Sequence, residues 1–495
     1  MKPFSRRAAM LAAGGAAGWG LAKWLGADLP VYAGNPRIAV PRGDKWLNDA
    51  SGLSATPIHR QLTMPHNTGD ELVTSSRKVL AEARADGRPV LASAARHSMG
   101  GQSIPRDGTA LTFDNGAVEI DSANQIYRVH AGVRWSQVIA ALDPAGWSPK
   151  VMQSNNDFGV AATFSVNAHG WPVPFGPMGS TVRSLRMVLP SGDLVTCSPS
   201  ENAGLFNLAM GGYGLIGIIV DLEVEMVKNA RLTPTFEVMD AAAFAAGFRA
   251  AVDDPAVTMA YGRLNVERDA FFHKALLVTY REAADQADLP AVSGSGWMSH
   301  AASYLYRAQL GNETVKSFRW WSETRLGPAL GSGETTRNAL INEPVVTLED
   351  RNPNRTDILH EYFAGFNALD DFLTACREVI PASYQEFLNV TLRYIAQDDQ
   401  STLAYATEPR IAAVMSFSQE MTERAEADMA RMTRLLIDRI VARGGTYYLP
   451  YRPHATVDQF TAAYPRAREF AQAKRGLDPQ LLLRNNLWDS YLGQI

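Results

Sequence analysis

The chain has 495 residues, 46% of them hydrophobic and 20% charged, with a formal net charge of −4. That is the composition of a globular protein with room for two or three domains, and its slight acidity argues against a general nucleic-acid binder. Two cysteines, Cys197 and Cys376, exclude a disulfide framework and a cysteine-built zinc cluster, and no metal site is expected.

Residues 1–33 read as an export signal. Ser5-Arg6-Arg7 precedes an apolar, alanine- and glycine-rich run from Ala8 to Leu21, and Val31-Tyr32-Ala33 has the small-residue character of a cleavage site. The pattern predicts the twin-arginine route, which delivers folded proteins to the periplasm. No later segment is long and apolar enough to span a bilayer, so firm membrane insertion is not expected. Periodicity predicts a helix over 68–84, with Leu72, Val73, Val79, Leu80 and Ala83 on one face and Gly87 ending it. A buried strand of small residues, Val90 to Ala95, follows. Further along come a short strand over 129–133, a helix over 135–142, and a hairpin in which 182–189 and 194–197 flank Pro190-Ser191-Gly192-Asp193. Residues 218–227 alternate apolar and acidic positions, as a half-buried strand does. Residues 34–230 therefore read as one mixed α+β domain.

From residue 231 helix-like and strand-like segments alternate, broken at 293–296 and 327–333, and 231–445 reads as a second, α/β domain. Met429, Met432, Leu436 and Ile440 mark one face of a long helix that Gly444 closes. Residues 446–495 form a polar, aromatic C-terminal segment.

Three motifs carry chemistry. Arg96-His97-Ser98-Met99-Gly100-Gly101-Gln102-Ser103 puts an imidazole, hydroxyls and adjacent glycines in one tight turn, the makings of an anion cradle such as a pyrophosphate needs. Ser165-Val166-Asn167-Ala168-His169-Gly170, after Asn155-Asn156-Asp157-Phe158-Gly159, fits a loop pressed on a flat, hydrogen-bonding ring system. Gly212-Tyr213-Gly214-Leu215-Ile216-Gly217 spells GxGxxG, but a strand-like run follows where a Rossmann site needs a helix, so that reading is rejected.

Taken in this order, the motifs resemble the FAD-binding half of the vanillyl-alcohol-oxidase (PCMH-type) flavoproteins, over about residues 57–226. The resemblance implies two α+β subdomains wrapped around an extended FAD, with a separate cap domain over the isoalloxazine. It places His97 where many relatives bond covalently to the flavin, with Arg96 where they commonly carry glycine. Ser98, Gly100, Gly101, Gln102 and Ser103 match the pyrophosphate loop. Ser165, Asn167, Ala168 and Gly170 match the loop beside the flavin ring, and Gly214 and Ile218 match the strand that meets the cofactor.

Downstream, Asn389-Val390-Thr391-Leu392-Arg393-Tyr394 resembles a strand of the alditol and aldonolactone oxidases in which Arg393 matches an arginine over the flavin, while Thr391 stands where they carry glutamate. Tyr451-Arg452-Pro453-His454 and the stretch 478–488, including Asn485, resemble their C-terminal segments that return to the flavin. Gly179 to Leu185 with Ala168-His169-Gly170 also resembles the decaprenylphosphoryl-ribose oxidases. The expected activity is FAD-dependent oxidation of a CH–OH donor (polyol, sugar or sugar lactone) by hydride transfer to flavin N5, with His169 or His454 as base and Arg393 stabilising negative charge. Oxygen, a quinone or a cytochrome would take the electrons. Two alternatives stand beside it: C–N oxidation of the cytokinin-dehydrogenase kind, with Asp157, also expected among the cofactor-binding residues, as the only obvious aspartate base in the flavin-domain loops, and a redox-relay flavoprotein with no substrate.

Overall fold

The computed structural model describes residues 36–64, 69–292, 304–326, 328, 333–344 and 352–495. The expected export signal and most of the two glycine-rich breaks lie outside these residues.

The first domain is built on two sheets. In the smaller one Thr109–Phe113 lies between Arg60–Met64 and Val90–Ser93, all parallel. Parallel neighbours need a crossover, and the helix Gly69–Asp86 supplies it. Its buried side carries Leu72, Val73, Val79, Leu80 and Ala83, the residues that periodicity marks, and Gly87 follows in the left-handed region at φ +62°.

The larger sheet runs Leu194–Cys197, Val182–Val188, Ile218–Lys228, Ile126–His130, Val118–Asp121, with Trp147–Pro149 added beside the far end of Ile218–Lys228. All its pairings are antiparallel. The hairpin at Gly192 (φ +96°) and the helix Trp135–Leu142 are where the sequence predicts them. Two expectations shift. The strand expected over 129–133 is Ile126–His130, because residues beyond His130 turn into the helix. Ile218–Lys228 is buried on both sides over its first five residues and alternates only afterwards. Leu72, Val73 and Val188 pack around Ile218 and Val220, which removes the solvent face there.

The second domain carries an eight-stranded sheet in the order Thr335–Thr336, Arg231–Asp240, Lys274–Glu282, Val257–Leu264, Glu386–Ile395, Arg410–Glu420, Arg355–Gly365, Thr446–Tyr447. The expected mixture of helix and strand is present, but every pairing is antiparallel, and the helices do not act as crossovers of a parallel sheet. Two βαββ units make up most of it: Arg231–Asp240, helix Ala241–Asp253, Val257–Leu264 and Lys274–Glu282; then Arg355–Gly365, helix Leu369–Val379, Glu386–Ile395 and Arg410–Glu420. They meet at a short seam, with Gly262 opposite Leu392 and Arg263 opposite Thr391. The long helix Glu423–Val441, capped by Thr422 and burying Met429, Met432, Leu436 and Ile440, packs on one face of this sheet with the helices of the two units. The other face looks toward the first domain.

Candidate active site

The loop 165–170 joins the two domains. After the helix Val160–Ser165 the chain turns at Asn167, φ +48°. The Asn167 carboxamide accepts from Gly179 N–H at 2.8 Å and donates to Asp398 Oδ2 at 3.0 Å and Ser401 Oγ at 2.9 Å. Tyr405 donates to Asn167 O at 2.6 Å, and Tyr448 donates to Val166 O at 2.9 Å. A Cβ on Gly170 would lie 1.9 Å from Met152 O, so only glycine fits. Ser165 turns its hydroxyl back to Ala161 O, and its own carbonyl accepts from Tyr213 N–H at 2.8 Å. That bond ties the loop to the glycine turn, where Gly214 takes φ +72° and Gly212, Gly214, Gly217 and Ser165 line a small cavity. Ile218 begins the adjoining strand with its side chain in the core.

His169 is buried and pairs through Nε2 with Glu361 Oε1 on the cap strand Arg355–Gly365. Phe363, Tyr405 and Tyr448 surround its ring at centroid distances of 5.8, 6.0 and 6.2 Å. Its Nδ1 is buried with no partner among the described residues. Tyr451 donates to the second oxygen of Glu361 at 3.3 Å. Arg393 reaches Ser154 Oγ at 3.2 Å and His169 O at 3.5 Å, and its Nε is buried without a partner. Burial pulls its guanidinium below the usual range and Glu361 opposes that shift; an arginine so placed stays charged at neutral pH. The site thus holds an imidazole oriented by a carboxylate, beside a desolvated cation.

His454 belongs elsewhere. Its Nε2 bonds Glu426 at 2.8 Å and its Nδ1 meets Thr433 Oγ1 at 3.2 Å; Thr433 also meets His360. Consecutive strand residues point to opposite faces, so His360 and His454 lie on the helix-covered face while Glu361 and His169 lie on the other. The structure therefore does not bring His454 to His169, and of the two imidazoles it leaves His169 as the base candidate.

The His97 loop is tied to the C-terminal segment. Gly100 N–H donates to Gln102 Oε1 at 2.9 Å, Gly101 N–H donates to Asp49 Oδ2 at 2.7 Å, and Gln102 Nε2 donates to Leu449 O and Tyr451 O at 2.7 and 2.8 Å. A Cβ on Gly100 would lie 2.6 Å from Tyr451 O. These three residues hold the loop's shape with the groups expected to meet a pyrophosphate. The buried hydroxyls of Ser93 and Ser103 have no partner among the described residues, and Ser98 in the same loop is half-buried. Arg96 sits at φ +56°, a conformation glycine adopts without strain. The His97 ring lies against Phe158 at 4.2 Å. Asp157 follows the same loop, its carbonyl accepting from Arg134 at 2.8 Å. Asn485 is fully buried. It caps the helix Asn486–Ser490 and donates to Tyr213 O at 2.9 Å, so its amide serves the fold. Orphaned hydroxyls beside a glycine turn suit a phosphate-bearing ligand.

Residues 73–198 match the pattern of an FAD binding domain. This chain carries a PCMH-type FAD-binding domain. It is similar to a D-arabinono-1,4-lactone oxidase of Yarrowia lipolytica, 37% identical over 92 residues that make up 19% of this chain and 18% of the relative. It is also similar to a mitochondrial L-galactono-1,4-lactone dehydrogenase of Brassica oleracea, 25% identical over 136 residues, 27% of this chain and 23% of the relative. A third likeness is to cytokinin dehydrogenase 9 of Oryza sativa subsp. japonica, 27% identical over 174 residues, 34% of this chain and 33% of the relative. The chain therefore matches a third or less of the length of each of these relatives. Of the residues expected to hold the cofactor, Ser165 and Gly214 line the small cavity, and Ser103 keeps a buried hydroxyl with no partner among the described residues.

Sequence reasoning misses Glu361 as the partner of His169. Glu361 had a signal: it is the acid in the buried run His360 to Gly365.

Proposed function

We propose that this protein is an FAD-dependent oxidoreductase acting on the CH–OH group of a sugar or sugar-lactone donor. The observation that carries the reading is the buried His169–Glu361 pair, set beside Arg393 on the cap face that meets the loop of the FAD-binding domain. The names of the lactone-oxidising relatives support the donor class.

Bound FAD supplies the two-electron acceptor. The protein supplies positioning and proton handling. With its Nε2 proton held by Glu361, His169 leaves Nδ1 as the acceptor for the donor's hydroxyl proton. Glu361 fixes that tautomer and stabilises the imidazolium that results. Arg393, poorly solvated and close by, favours negative charge as it develops at the reacting centre. Phe363, Tyr405 and Tyr448 exclude water from the imidazole. Covalent attachment through His97, export to the periplasm by residues 1–33, and oxygen, a quinone or a cytochrome as final acceptor belong to the same proposal.

The purified protein should be yellow, and anaerobic addition of sugars, polyols or lactones should bleach it. His169→Asn should slow bleaching by about 10²- to 10⁴-fold. If the protein stays colourless with added FAD, the reading fails. Bleaching by isoprenoid adenines alone would transfer it to C–N oxidation, and no bleaching by any donor would favour a relay. Acid precipitation tests the attachment separately: colour should stay with the wild-type polypeptide and leave His97→Ala.

A further inference from the structure

Four residues form a row across the cap sheet on the face toward His169. Arg263 stands opposite Thr391, Thr391 opposite Val414, and Val414 opposite Glu361. Directly opposed residues on antiparallel strands project to the same side, and Arg393, two residues past Thr391, shares that side. The row crosses the seam between the two βαββ units.

The carboxylates near this face are committed. Glu361 pairs with His169, Glu323 with Arg319 at 2.8 Å, and Asp357 with Arg307. Two guanidiniums remain. Among the described residues neither Arg263 nor Arg393 has a carboxylate in direct contact, although Glu323 attracts Arg263 and Glu361 attracts Arg393 from further off. The proposed reaction uses Arg393; nothing so far uses Arg263. Its Nη1 donates to the neutral Thr391 Oγ1 at 2.7 Å, and its guanidinium carbon lies 5.5 Å from the Tyr261 ring centroid. Trp171 lies on the same Tyr261 ring at 4.7 Å, and its Nε1 is buried with no partner among the described residues. A half-buried cation beside a second cation, with an indole N–H lacking a partner on the same Tyr261 ring, is an arrangement that a further anion would complete.

We propose that the donor is an anionic sugar derivative. Arg263, with the Trp171 indole N–H as second donor, receives its oxyanion, a carboxylate or a phosphate, while its carbinol lies toward His169. The inference rests on the oxidoreductase reading above and narrows its donor class.

The test compares glucuronate, gluconate and glucose 6-phosphate with neutral glucose and xylitol, using calorimetric binding and anaerobic flavin bleaching of the full chain. At least one anionic probe should bind about 10- to 100-fold more tightly than the neutral probes, the range expected for a charge-assisted hydrogen bond. The carboxylate and phosphate arms tell the two oxyanions apart. Arg263→Gln should abolish the preference. Thr391→Glu should reverse it by giving Arg263 an internal carboxylate. Flavin content and circular dichroism show whether each variant has folded. Equal affinity for anionic and neutral probes, no binding of any anionic probe at millimolar concentration, or an equal loss for both classes in Arg263→Gln would overturn the inference. A colourless protein would instead sink the oxidoreductase reading, and the calorimetric preference could still be read.

Discussion

Glu361 and His360 are neighbours in the chain with opposite surroundings. Glu361 faces His169 and has Tyr451 on its second oxygen. His360 faces the helices, touching Tyr362 and Thr433. Burial pushes the His360 imidazole down to about 3, with His454 adding to the shift and Glu426 opposing it. An unfolded imidazole titrates near 6.5, so below that pH the unfolded chain binds the proton first. The stability tied to His360 is complete above about pH 6.5 and is lost progressively as pH falls toward 3, by up to about 1.4 kcal/mol per pH unit. Burial shifts His454 the same way. The Tm should therefore fall between pH 7 and 5, before most carboxylates titrate, and His360→Gln should flatten that fall; an unchanged profile would remove His360 as its source. On the opposite face, Arg393→Ala should slow flavin reduction by about 10²- to 10³-fold with flavin content preserved, as stopped-flow absorbance would show. At this scale the sequence marks His97, His169 and Arg393 through their motifs. It does not mark Arg263, since no local pattern reports a partner across a seam. His454 shows the converse problem: a motif can name an imidazole without saying which side of the cap sheet it faces.

Elements are more legible than sites, because their signals are local. The helices Trp135–Leu142 and Glu423–Val441 follow from apolar periodicity with a cap at one end and a left-handed glycine at the other for the longer one. The hairpin at Gly192 follows from its turn residues. Sheet topology is not local. Alternating helix-like and strand-like sequence after residue 231 is compatible with a parallel or an antiparallel sheet, and only long-range pairing selects the latter. The paired βαββ units are likewise invisible as a repeat, since helices Ala241–Asp253 and Leu369–Val379 keep an apolar face with different residues. The tightest element is the loop 165–170. Gly170→Ala would drive a methyl into Met152 O and should abolish soluble expression or flavin retention. Tyr405→Phe should cost less, about 1–3 kcal/mol, by leaving Asn167 O buried without its donor; chemical denaturation would measure it.

Across the whole molecule, the C-terminal segment links parts of both domains. Thr446–Tyr447 completes the cap sheet, Leu449 and Tyr451 hold Gln102, and Leu483 bridges Val90 while Leu482 O accepts from Val90 N–H at 2.6 Å. Asn485 and Asn486 then reach Tyr213 and Gly100. A chain ending at Leu477 should lose flavin and become protease-sensitive near Val90 while keeping much of its helical signal; full flavin retention would show that these bonds are dispensable. The order of biosynthesis gives this closure a temporal meaning. Residues near position 90 leave the ribosome long before those near 485 exist, so the N-terminal half cannot reach its finished shape until the later segment has emerged. Closure of the first domain thus waits on a segment made far later, which supplies Leu482 O to Val90 and the amides of Asn485 and Asn486 to Tyr213 and Gly100.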